Sequence, residues 1–255
     1  MENVTKKSKF KFPTEVVELP SKGLIYSKDN PLSSGKLEMK YMTAREEDIL
    51  TNQNYISKGI VLDKLLESLI VSEVDYNDIV VGDKNALLIA SRVLGYGKDY
   101  SFKAISKITN ELEDFTIDLT TLKDKHLNKK DLIEVGLNEF KYTLPTVNKL
   151  ITFKLLTHSD EIAISKEIQG QNKIRPGSNP EISTRLKYII TSIDGDSEKK
   201  TIREFVDGYL LAKDSRSLRE EIRRISPDVE LKYHGEDGEE DINIPINLNF
   251  FWPDA

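Results

Sequence analysis

Hydrophobic and polar positions alternate, then switch period, twice along this chain. In "KLEMKYMTAREEDIL" (36–50) an alternating stretch of strand character leads to Thr43. Apolar residues at helical spacing follow. "KLITFKLLTHSDEIA" (149–163) repeats the arrangement, with Thr157 in the place of Thr43 and Glu161 in that of Glu47. Each Thr is an expected helix N-cap, and an acid stands at the third helical position, Glu46 or Asp160. There a hydroxyl can accept from an orphan amide, while the acid bonds back and favours the positive end of the helix dipole.

The parallel continues in order. "LLESLI" (65–70) resembles "YIITSI" (188–193), and "GDKNALLIASRVLGYGKDYSF" (82–102) resembles "KDSRSLREEIRRISPDVEL" (213–231). Asp83 and Asp214 are expected N-caps of a last helix, which a Gly-rich or Ser-Pro break ends. Both copies close on a β-like pair: "YSFKAI" with "FTIDL", and "VELKYH" with "INIPI". Phe102, Ile105, Phe115 and Ile117 are the expected packing residues of the first pair, and Leu231, Tyr233, Ile242 and Ile244 those of the second. One shared passage would reflect general capping chemistry; several in one order predict a duplicated unit. The expected fold is α+β: two diverged tandem copies of a strand, helices and a small antiparallel flap. A flexible basic arm covers 1–15, the first copy 16–122, a connector 123–138, and the second copy with an aromatic tail 139–255.

Composition narrows the function. Charged residues make up 31% of the chain and hydrophobic ones only 38%, which predicts extensive solvated surface. No apolar run reaches the length of a membrane span, and "MENVTKKSKFKF" has no apolar core of a secretory signal. With no cysteine there are no disulfides or thiolate metal sites, in keeping with a reducing compartment. The net charge of −6 equals the six acids of residues 234–255, where no Lys or Arg stands. That acidic balance disfavours nucleic acid as a partner, and Arg216, Arg219, Arg223 and Arg224 share their helix with Glu220 and Glu221 as an ion-pair surface.

Catalytic signatures are missing. His126, His158 and His234 stand far apart in sequence, and no HExxH, GxSxG, GxGxxG or P-loop pattern occurs. Asp194 and Asp196 begin like a calcium loop, but its twelfth position is Phe205, which ligates no cation. No catalytic, cofactor-binding or metal-ligating residue is therefore expected. The candidate contact residues are apolar. Leu19, Pro20, Leu24 and Tyr26 lie in the Pro/Gly-punctuated stretch "ELPSKGLIY", and Phe250, Phe251 and Trp252 crowd the end of the chain. Three consecutive large rings either pack back on the body or anchor a partner.

The ordered set "ELPSKGLIY", "MTAREEDIL", "LDKLLESLI", "GDKNALLIASRVLGYG", "DSRSLR" and "FFWPDA" resembles the baseplate or baseplate-hub assembly proteins of T-even-like contractile-tailed phages. The resemblance spans about 18–255. It implies a non-enzymatic protein that binds other tail or baseplate proteins in the cytoplasm of an infected bacterium, as baseplate component or assembly chaperone. The alternatives are a small hydrolase or nuclease using scattered carboxylates, and a nucleic-acid-associated adaptor. The family also implies a Cys-x-x-Cys zinc knuckle in each flap. Here Ser106 and Thr109 occupy one knuckle and His234 and Asp237 the other, and hydroxyls are poor zinc ligands.

Overall fold

The structure, a computed structural model, describes residues 13–177, 179–235 and 241–251. Its architecture is α+β with small antiparallel sheets. The front half runs β1 (Thr14–Glu18), β2 (Lys36–Lys40), α1 (Ala44–Leu50), α2 (Gln53–Ser57), α3 (Val61–Leu69) and α4 (Val81–Tyr96). A flap of β3 (Asp99–Ile105) and β4 (Leu112–Asp118) follows, then the two-residue β5 (Asp124–Lys125). The back half runs β6 (Phe140–Thr143), β7 (Leu150–Phe153), α5 (His158–Ile174), α6 (Glu181–Ile189), β8 (Ile190–Ile193), α7 (Lys199–Gly208) and α8 (Ala212–Ile225). It closes with β9 (Asp228–Val229) and a second flap of β10 (Lys232–His234) and β11 (Asp241–Asn243).

The two helix starts form as their residues dictate. Thr43 donates its backbone N–H and its hydroxyl to Glu46 Oε2 at 2.9 and 2.6 Å, and Lys40 Nζ reaches Glu46 Oε1 at 2.8 Å. In the back half Thr157 N–H donates to Asp160 Oδ2 at 3.1 Å, and Lys154 Nζ reaches Asp160 Oδ1 at 2.8 Å. A Lys three residues before the capping Thr therefore meets the acid three residues after it in both places.

Asp83 and Asp214 are not N-caps. Those positions belong to Val80 and Leu211, and each Asp stands at the third position of its helix. The carboxylates reach across the fold instead. Asp83 accepts from Ser21 N–H at 2.9 Å, Ser21 Oγ at 2.7 Å and Tyr26 OH at 2.8 Å. Asp214 Oδ1 accepts from Thr146 N–H at 2.8 Å. The donors sit in matching turns, Leu19-Pro20-Ser21 between β1 and β2 and Leu144-Pro145-Thr146 between β6 and β7. The ladders also correspond: Met39 of β2 bridges to Ile70 after α3, and Phe153 of β7 pairs with Ile190 of β8.

The connector is not a free linker. It holds a 3-10 turn at Lys129–Asp131, and β5 pairs with β9 in the register Asp124↔Val229 and Lys125↔Asp228. Thr14 and Glu15, placed in the arm by sequence, belong to β1. Buried apolar side chains of both halves form one cluster. A Cβ on Gly82 would lie 1.8 Å from the carbonyl oxygen of Pro227, so α4 approaches the strand region after α8 closer than any side chain permits. No helix among the described residues is long and apolar enough to cross a membrane.

Candidate functional site

Most of the candidate contact residues lie in the interior. Leu19 and Tyr26 are buried, Pro20 is buried beside them, and Leu24 is half-buried. The stretch "ELPSKGLIY" thus wraps its own half, held through Ser21 and Tyr26 on Asp83. Phe250 and Phe251 are fully buried, and Phe250 meets Tyr100 edge-on at 4.8 Å between ring centres. Phe250 and Phe251 thus pack back on the body, one of the two arrangements expected of these rings, and expose no side-chain surface. Trp252 lies outside the described residues.

The flaps do present surface. Phe102 and Phe115 turn inward and meet Tyr233 of the second flap at 6.4 and 5.2 Å between centroids, so the two hairpins brace each other. Ile242 and Ile244 are buried as expected. Ile105 is not: it is 63% exposed, because β3 alternates and its odd positions face away from the second flap. Its cross-strand partner Leu112 is 67% exposed and Ile108, in the turn between them, 64%. Three large aliphatic side chains therefore share the tip of a braced hairpin. Sequence reading assigned Ile105 to the core and overlooked the other two, although three aliphatics within "AISKITNEL" around an Asn-containing turn were a readable signal.

That turn is held by hydrogen bonds of its own. The buried Ser106 hydroxyl accepts from the amides of Ile108 and Thr109, both at 3.3 Å, and Asn110 takes a left-handed φ of +59°. The Ser106 lone pairs are spent on backbone amides, and Thr109 Oγ1 donates to Glu113. This donor set does not fit a zinc ion. In the second flap His234 Nδ1 stands 2.6 Å from Asp241 Oδ1, whereas Asp237 lies outside the described residues.

Two features join the halves. An apolar trough of about 650 Å³ is walled by Val80 and Gly82 of the front half and by Leu155, Leu156, Ile189 and Ile222 of the back. Three of its rim charges are engaged: Lys154 with Asp160, Glu161 with Arg185 at 2.7 and 2.9 Å, and Asp228 with Asn85 at 2.8 Å. Beside it Asp63, Tyr76, Lys84 and His158 converge from α3, a 3-10 turn, α4 and α5. Tyr76 OH and Lys84 Nζ donate to Asp63 Oδ1 at 2.8 and 2.5 Å. Burial and then the Asp63 charge raise the Tyr76 hydroxyl far above its ordinary range, so it stays a proton donor. Here ionisable groups meet as a catalytic site would require, yet they satisfy one another across the seam. The arginines of α8 behave as an ion-paired surface in part. Arg216 pairs with Glu220 and Arg224 with Glu221 and Asp131, while Arg219 bonds back to Ser215.

Comparison with protein-family models, with curated proteins and with solved structures finds no match.

Proposed function

We propose that this chain is a non-enzymatic assembly protein of a contractile phage tail, a baseplate or hub component or its chaperone, that works by binding other tail proteins. The ordered sequence resemblance supports the reading. The observation that carries it is the aliphatic tip of Ile105, Ile108 and Leu112, each more than 60% exposed on a hairpin braced from behind. Contiguous exposed apolar side chains mark an interaction site, whereas apolar surface residues scattered singly carry no such meaning. We further infer that the halves are diverged copies of one unit. The repeated Lys–Thr–acid start, the repeated Leu-Pro-Ser/Thr turn bound by an Asp at the third position of a helix, and the repeated strand pairing support it.

The test is co-purification. The tagged chain, expressed with the tail proteins of a contractile-tailed phage, should retain at least one baseplate protein. The double variant Ile105→Lys/Leu112→Glu should keep the wild-type circular dichroism and lose that partner. Recovery of no tail protein by the wild-type chain overturns the assignment. Undiminished recovery by the variant removes the tip from it. Mass spectrometry of intact tails then separates a retained component from a chaperone.

A further inference from the structure

The seam between the halves contains one contact that dictates a protonation state. Lys84 Nζ on α4 lies 3.2 Å from His158 Nδ1, at the first position of α5. An ammonium group only donates, so Nδ1 must present its lone pair and the imidazole must be neutral, with its proton on Nε2. His158 is 6% exposed, and its ring meets Tyr76 edge-on at 4.6 Å.

The charges around the ring leave little to neutralise a second proton. From α3, Asp63 Oδ1 is 3.7 Å from Nδ1, but the same oxygen already accepts from Tyr76 and Lys84. Lys64 and Glu67, also on α3, pair with each other at 2.5 Å. On α5 itself Asp160 is held by Lys154 and Glu161 by Arg185. A protonated His158 would thus turn an N–H toward the Lys84 ammonium at a buried ring. Burial, then the Lys84 charge, hold the imidazole below its ordinary value against the pull of Asp63.

The position of this residue gives the contact leverage. His158 N–H donates to Ile79 O at 2.9 Å, and Thr157 bridges to Val80. The residues just beyond, Val80 and Gly82 on one side and Leu155 and Leu156 on the other, are the facing walls of the trough.

We propose that His158 is a proton-operated latch: neutral, it accepts from Lys84 and fastens α5 to the front half; protonated, it repels Lys84 and loosens the seam that walls the trough. The inference is independent of the tail-assembly reading and survives if that reading fails.

Amide hydrogen exchange on the full chain tests it, with rates corrected for intrinsic pH dependence. Between about pH 7.5 and about pH 5.5, across the ordinary histidine value near 6.5, protection of the His158 amide should fall on the order of tenfold, while that of the β6–β7 hairpin stays level. His158→Gln keeps an acceptor for Lys84 and does not titrate, so its protection should be flat over the range. A flat wild-type profile, or an equal fall in His158→Gln, overturns the latch. If the variant does not fold, NMR titration of the wild-type imidazole decides: a midpoint below the ordinary value upholds it, and one at or above that value overturns it.

Discussion

Arg92 donates its Nε–H to the carbonyl oxygen of Phe250 at 2.8 Å, across 158 residues of chain. Arg92 is 1% exposed and no carboxylate among the described residues pairs with it; its other donors reach the carbonyls of Gly97 at 2.8 Å and Asp99 at 3.2 Å. Tyr96 and Tyr100 lie within 5.4 and 6.0 Å, so ring faces supply the remaining negative potential. One cation therefore seals the end of α4, the start of β3 and the last described turn. Arg92→Met leaves three carbonyls without donors and should cost about 3 kcal/mol in urea denaturation. Phe250→Ala should cost about 3–5 kcal/mol by emptying the pocket against Tyr100. A loss under about 1 kcal/mol in both would mean that this tail is not fastened.

The two buried aspartates make an internal control. Asp83 accepts three hydrogen bonds from Ser21 and Tyr26, whereas Asp214 accepts one from Thr146 and its Oδ2 is left without a partner. Asp83→Ala should therefore cost about 3 kcal/mol and Asp214→Ala about 1 kcal/mol, since fewer donors are orphaned in the second case. Equilibrium unfolding of the two variants checks the order. A larger loss at Asp214 would contradict the unequal bonding.

The sequence made the helix starts legible because capping is local: Thr43 with Glu46 and Thr157 with Asp160 need only three residues of chain. The aspartates were visible as special but were given the local role. Their true partners, Ser21 and Thr146, lie 62 and 68 residues away, and no short-range rule links them. The same limit hid the seam. Asp63, Lys84 and His158 are unremarkable residues on three separate helices until the chain folds. The aromatic end was ambiguous for another reason, because packing back and binding a partner demand the same residues. Arg92 decided it, and nothing near Phe250 in sequence announces Arg92.

Gly82 tests how closely the halves are joined. An added Cβ would meet Pro227 O at 1.8 Å and the Pro227 carbonyl carbon at 2.7 Å, both backbone atoms that no rotamer change can move aside. In an open helix Gly→Ala stabilises by about 1 kcal/mol through propensity. Here Gly82→Ala should instead destabilise by about 2 kcal/mol or more, because α4 must retreat from the strand after α8. A raised thermal midpoint would show that the contact is looser than the structure has it.

Glu46 contributes stability that acid removes. Its carboxylate is fully buried; burial alone would raise its pKa, but hydrogen bonds from Lys40, Thr43 and Ser68 outweigh that and pull it from 4.5 to about 2. A carboxylate held lower in the folded chain than in the unfolded one contributes stability above its ordinary value and loses it as pH falls toward the folded value. The window therefore runs from 4.5 down to about 2, and the shift corresponds to about 3 kcal/mol at most. Glu46→Gln preserves the shape but not the charge facing Lys40. Its deficit against wild type should be near about 3 kcal/mol at about pH 7 and should shrink steadily through about pH 3, where the wild-type carboxylate is itself losing this stabilisation. Urea midpoints of both chains at the two pH values read the difference directly, and because all other carboxylates titrate alike in the pair, a deficit that does not change with pH would locate the acid sensitivity elsewhere.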